Sequence, residues 1–262
     1  MDSIPFTLPA PHGGTGTIAV IAPGGELDGA CLAALSVAEQ ARANAATPAF
    51  RLAFVTGRGL LRMALSRWFH QQTGHLPAPS RIPLYQAPGG PPLVDQDRLP
   101  AALRGGAFPF FSVSHTITTG ADGLPYGLAV VLVSDSGPVG IDLELADRPV
   151  IWRRLAERRF APAEAAWLRE APDRAARRFL HLWTIKEAAA KALGLGLGRA
   201  LRTVTPALPL PTPGTLETPV SLDFPPEAAS VTAGCDLFTA RLDGACGLPD
   251  AWLALALADT SR

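Results

Sequence analysis

Asp142 and Glu144 stand two apart in the run VGIDLE. On a strand, that spacing puts both carboxylates on one face and Ile141, Leu143 and Leu145 on the other. Neighbouring carboxylates repel and raise each other's proton affinity unless a cation sits between them. A hard divalent ion such as Mg²⁺ takes oxygen ligands and keeps positions open for a phosphate-bearing substrate. The same spacing also suits the solvated face of an edge strand. Downstream, FLHLWTIKEAAAKALG (179–194) sets Trp183, Glu187 and Lys191 at steps of four, which a helix aligns on one stripe. Such a stripe could carry a base and a phosphate-binding ammonium. A Glu–Lys pair at that step is also an ordinary surface pair, worth ~0.2–0.5 kcal/mol.

Two further groups could meet an anion. FFSVSHT (110–116) offers the Ser114 hydroxyl and the His115 imidazole, which suit phosphate oxygens; a structural histidine at a strand end is the other reading. Arg51, Arg58 and Arg62 recur at spacings of seven and four, so a continuous helix shows them on one side. His12, His70, His75 and His181 share no spacing and receive no role.

The elements that must position these groups follow from patterning. TGTIAVIA (15–22) reads as a strand. Leu27 to Ala43 reads as one helix, and Phe50 to Gln72 as another with Gly57 inside it. Residues 76–107 read as loop. YGLAVVLVS (126–134), the turn DSGP (135–138) and VGIDLELA (139–146) read as an antiparallel hairpin. Helices are expected over Trp152–Arg159, from Pro162 through Glu170, and from Pro172 to about Leu193, where Gly194 ends the last. Gly194 to Gly198 reads as a flexible exit, 203–226 as a proline-rich connection, and 235–242 and 251–258 as closing strands.

Composition narrows the function classes. The 262 residues carry 23 Lys+Arg against 23 Asp+Glu, so no global basic excess marks a nucleic-acid binder. Cys31, Cys235 and Cys246 are an odd count without CxxC spacing, which argues against a disulfide framework or a zinc site and for a reducing, cytoplasmic setting. No run approaches the ~18 apolar residues of a membrane span, and no signal peptide is expected at the N-terminus. No P-loop or kinase-type glycine loop is present. Between Arg148 and Arg178, nine Arg face four Asp+Glu. That local excess suits an acidic partner, or simply a solvated helical face.

SVSHT (112–116), VGIDLE (139–144) and WTIKEAAAK (183–191) together resemble the 4′-phosphopantetheinyl transferases, specifically the surfactin-synthetase-activating (Sfp-type) branch. Leu35-Ser36-x-x-Glu39-x-x-Arg42 and Arg51-x-x-Phe54-Val55-x-x-Arg58-x-Leu60-Leu61-Arg62 resemble its N-terminal helices, so the likeness spans roughly residues 35–200. Two positions depart. Gly89-Gly90-Pro91 stands where the family has Gly-Lys-Pro, and Ser112 where it has Asn.

The resemblance implies an α+β fold of two similar α/β subdomains with pseudo-two-fold symmetry, 1–136 and 137–262, in a monomer. It implies transfer of 4′-phosphopantetheine from coenzyme A to a serine of an apo acyl or peptidyl carrier protein, with Mg²⁺ and release of 3′,5′-ADP. Asp142, Glu144 and Glu187 would hold Mg²⁺, and Asp142 would thereby face the coenzyme A pyrophosphate. Glu187 would be the base, and Lys191 would hold a phosphate. Arg58 would meet the 3′-phosphate side of coenzyme A, with Arg51 and Arg62 as weaker candidates. Ser114 and His115 would reach the nucleotide phosphates, and Lys186 would be structural. Neither nucleic acid nor membrane is an expected partner.

Overall fold

A computed structural model of the chain describes residues 3–7, 14–22, 24–87, 90–104, 108–120, 122–210, 214–215, 229–231, 235–242 and 249–258. Gly89, His12, Cys246 and most of the proline-rich stretch from 211 lie outside the described residues.

Two sheets form the centre, antiparallel throughout except at one short strand. The first contains β1 (Ser3–Thr7), β2 (Gly14–Ile21), β5 (Phe110–Thr119) and β6 (Pro125–Ser134), in the order β1-β2-β6-β5. The second runs β7 (Val139–Leu145), β11 (Ala251–Ala258), β10 (Cys235–Leu242), with the short β8 (Gly214–Thr215) pairing parallel to β10 and β9 (Ala229–Val231) antiparallel to it. A small hairpin, β3 (Leu84–Gln86) with β4 (Pro92–Val94), stands apart in what reads from sequence as loop.

The sheets face each other across one apolar core. Ile18, Leu128, Val130 and Leu132 meet Ile141, Leu143, Leu253 and Leu255 there. On the outer face of the first sheet, Ala129, Val131 and Val133 pack under α3 (Pro48–Thr73), through Val55, Leu61 and Leu65. On the outer face of the second, Ala254 and Ala256 pack under α6 (Ala175–Ala192), through Ile185, Ala188 and Ala189. Central strands covered on both faces need apolar residues at every position, and LAVVLV in β6 and AWLALAL in β11 supply them. The fold is thus α+β, with the order helix, sheet, sheet, helix.

Three further sequence expectations change. Strands β6 and β7 do not pair as a hairpin; β6 pairs with β2 and β5, and β7 with β11. Both are apolar on the inward face, so the turn between them carries the chain from one sheet to the other. The helix read over 27–43 is two, α1 (Glu26–Ala34) and α2 (Val37–Asn44). Ser36 breaks it by capping α2, its hydroxyl accepting from Glu39 N while the Glu39 carboxylate accepts from Ser36 N. The exit after Gly194 holds a short helix, α7 (Leu197–Thr203).

The remaining helices, α4 (Trp152–Arg159) and α5 (Pro162–Arg169), fall where proline and periodicity place them. Gly57 does not interrupt α3. It faces His115, whose Nδ1 would lie 2.6 Å from a Cβ there.

Candidate active site

Strand β7 sorts its side chains by parity. Val139, Ile141 and Leu143 enter the core between the sheets, while Gly140, Asp142 and Glu144 face the α6 side. At Gly140, α6 comes down onto bare backbone: a Cβ would stand 1.9 Å from the Ala188 carbonyl oxygen. This approach brings Glu187 and Lys191, one helical turn apart, over the carboxylates of β7.

Lys191 Nζ donates to Asp142 Oδ1 at 2.8 Å, to the Ile141 carbonyl at 2.9 Å and to the Val113 carbonyl at 3.4 Å. The Ser114 hydroxyl donates to the same Asp142 oxygen at 2.8 Å. Ser112 Oγ accepts from Ile141 N at 3.0 Å. Asp142 is 3 % exposed, and its second oxygen, Oδ2, has no hydrogen-bond partner among the described residues.

The other two carboxylates are crowded. Burial, then the charges of Asp142 and Glu187, push the Glu144 carboxyl up to about 7, although Arg148 donates to it at 2.9 Å. Burial and Asp142 likewise raise Glu187; Lys191 partly offsets this. The Trp183 indole lies near enough to Glu187 to ease its charge, without completing a hydrogen bond. Three oxygen-donor side chains, two of them held back from ionising and the third with a buried oxygen unpartnered among the described residues, fit a hard divalent cation. As arranged, Lys191 occupies Asp142 instead, and among the described residues no three acidic, His or Cys side chains converge as ligands.

A polar cleft of about 320 Å³ is lined by Ser114, His115, Asp142, Glu144, Glu187 and Lys191, together with Arg148 and neighbouring backbone. It joins an apolar groove of about 680 Å³ edged by Leu93, Phe110, Val139 and Leu195, which also touches Glu187 and Lys191. His115 is exposed at the cleft rim and points to the α3 side. The protein around it, then Lys191 and Arg58, depress its proton affinity.

The arginines separate. Arg58 pairs with Glu39 at 3.5 Å and donates to Gln86 Oε1, and Gln86 in turn donates to the Gly90 carbonyl at 2.9 Å. Its charge is felt at His115, although it is not among the residues lining the cleft. Arg51 is half-buried on α3 and does not line it. Arg62 is no ligand candidate. It is 2 % exposed and spends its donors on Glu39 (2.6 Å) and on the carbonyls of Pro79 and Ile82 (2.8 Å each).

Lys186 is fully buried, ion-paired with Glu164 at 2.8 Å and donating to Leu201 O and Val204 O, which ties α6 to α5 and α7. Sequence reading missed Arg148 and Gly140. Arg148 was signalled by its place four residues after Glu144; Gly140 carried no signal until α6 lay upon it.

Residues 138–222 match the profile of the 4′-phosphopantetheinyl transferase superfamily. The 4′-phosphopantetheinyl transferase HetI of Nostoc sp. is 32 % identical over 188 residues, 71 % of this chain and 70 % of that protein. The Synechocystis sp. protein slr0495, provisionally named a 4′-phosphopantetheinyl transferase, is 33 % identical over 176 residues, 66 % of this chain and 63 % of its own length, just under two thirds.

Proposed function

Given that this chain belongs to the 4′-phosphopantetheinyl transferase superfamily, we propose that it moves the 4′-phosphopantetheine group of coenzyme A onto a serine of an apo acyl or peptidyl carrier protein. The observation that carries the reading is that Asp142, Glu144, Glu187 and Lys191 line one cleft, from a strand and a helix far apart in sequence. The divalent ion is read as Mg²⁺, held by Asp142, Glu144 and Glu187; when bound it neutralises the pyrophosphate and polarises its oxygens.

Each side chain then has a defined task. Glu187, whose proton affinity is already raised, accepts the proton of the carrier serine hydroxyl, directly or through water. The serine oxygen bonds to the β-phosphorus as the bond to 3′,5′-ADP breaks. Lys191 stabilises charge passing to that leaving group. His115, on the rim, and Arg58, whose charge reaches it, would receive the nucleotide phosphates, and Arg51 is a more distant candidate. Ser114 acts on Asp142 in the geometry described above, and its reach to a phosphate requires the hydroxyl to turn. Positioning and electrostatics carry most of the catalysis, as in other phosphoryl transfers.

The Sfp-type branch is supported by the three motifs. Subdomains 1–136 and 137–262 are supported by the crossing at 135–138 and by a separate helix covering each sheet. A monomer in the cytoplasm is the simplest state for such a chain. Among the described residues no helix is long and apolar enough to cross a membrane. The arginines of α4, with Arg153, Arg154 and Arg158 exposed, suit an acidic carrier.

The test is mass spectrometry of an apo acyl carrier protein, and of a peptidyl carrier domain, after incubation with the protein, coenzyme A and Mg²⁺. One added phosphopantetheinyl group, lost with EDTA and with Glu187→Gln, is the expected result. Coenzyme A binding without transfer to either carrier would leave a binding protein.

A further inference from the structure

The chain has 23 basic residues, and only two, Lys186 and Lys191, are lysines. Both lie on α6, yet they are used differently. Lys186 is locked in the interior. Lys191 lines the cleft with its three protons spent on three acceptors, Asp142 Oδ1, Ile141 O and Val113 O.

Those acceptors bridge two strands that share no ladder. Val113 belongs to β5, an edge of the first sheet, and Ile141 and Asp142 to β7, an edge of the second. Ser112 and Ser114 span the same gap through Ile141 N and Asp142 Oδ1. Side chains, with Lys191 as the cationic member, therefore close the seam where the sheets meet at the cleft.

An ammonium with three filled bonds cannot also hold a phosphate. Asp142 Oδ2 is open while Oδ1 holds Lys191, but an ion taken there would set two cations against one carboxylate, and they repel. We infer that Lys191 is the resident counter-cation of Asp142, that a divalent ion entering the cleft must release it, and that the released ammonium becomes the group that meets the anionic ligand. Ion entry then precedes productive anion binding, because one side chain serves both. This inference rests on reading Asp142, Glu144 and Glu187 as a divalent-ion site.

The chain's two lysines make a direct test possible. The full chain, labelled with ¹⁵N-lysine and free of metal, should give two protected ammonium signals. Lys191→Gln, which keeps N–H donors for the carbonyls but no charge, identifies one of them; Lys191→Arg does so if the first variant fails to fold. Titration with Mg²⁺, followed by calorimetry, should abolish protection of the Lys191 signal and leave that of Lys186. Lys191→Gln should bind Mg²⁺ roughly tenfold tighter than the unaltered chain, since the competing charge is gone. A Lys191 signal still protected at Mg²⁺ saturation, or a variant that binds Mg²⁺ no tighter, would overturn the inference and leave the ion site standing. Absence of Mg²⁺ binding by both proteins would overturn the ion site and the inference together.

Discussion

Gly140 of β7 and Ala188 of α6 meet backbone to backbone, and a methyl group on Gly140 would sit 1.9 Å from the Ala188 carbonyl oxygen and 2.6 Å from Ala192 N. No flexible side chain is there to yield. Gly140→Ala must lift α6 from the strand that carries Asp142 and Glu144. Overpacking of this kind costs ~1–3 kcal/mol. The displacement should also lower transfer roughly a hundredfold, because an error of about 1 Å at reacting groups has that effect. Urea unfolding and carrier modification assays measure the two losses; an unchanged unfolding midpoint would contradict this contact.

Lys186 and Glu164 are both buried and ion-paired at 2.8 Å. Breaking such a pair strands a charge in the interior and costs about 3–5 kcal/mol. Glu164→Ala should therefore destabilise strongly. Lys186→Met combined with Glu164→Met should recover much of the loss, since neither charge remains. A double-mutant cycle by urea unfolding reads the coupling directly.

His181 is stacked on Trp252 with ring centroids 4.2 Å apart, and burial pulls its imidazole down from 6.5 to about 4. The unfolded chain takes that proton near 6.5 and the folded chain does not until about 4. Stability from this group is complete above 6.5 and is lost as pH falls toward 4, about 3 kcal/mol in all. His181→Phe keeps a ring against Trp252 and should flatten this part of the curve of melting temperature against pH. An identical slope in the variant would rule the group out as its source.

Arg58 and Arg62 lie one turn apart on α3 and should respond differently. Arg62→Ala empties a buried site with three bonded partners and should cost ~3 kcal/mol of stability. Arg58→Ala should leave the fold standing and raise the KM for coenzyme A about tenfold with little change in kcat, the sign of lost uniform binding. Steady-state kinetics beside thermal melts separate the two; a KM effect from Arg62→Ala in still-folded protein would reverse the assignment.

The exposed arginines of α4 should act on encounter with the carrier. Reversing Arg153 and Arg154 to Glu should slow association with an acidic carrier and weaken its dependence on salt, leaving dissociation nearly unchanged. Stopped-flow binding at two ionic strengths reports both rates.

The sequence alone determined what depends on neighbours along the chain. Alternation in VGIDLE put Asp142 and Glu144 on one face, and the step of four aligned Glu187 with Lys191. Proline and glycine marked the starts and ends of the later helices. The motifs as a set named the family that the relatives of similar sequence also point to. Ser36 and Glu39 held a readable capping signal for the break between α1 and α2.

The tertiary structure decided everything that depends on what covers a face. Periodicity fixes the direction of a side chain, not its partner, so β6 and β7 looked like one hairpin while each was completing a different sheet. For the same reason Arg62 looked like Arg58 until Glu39 and two loop carbonyls closed around it. Ser114 and Lys191, far apart in sequence, share Asp142 only because α6 rests on Gly140 while β5 and β7 meet edge to edge. Such contacts form through the packing of two sheets and two helices, and no local pattern encodes them.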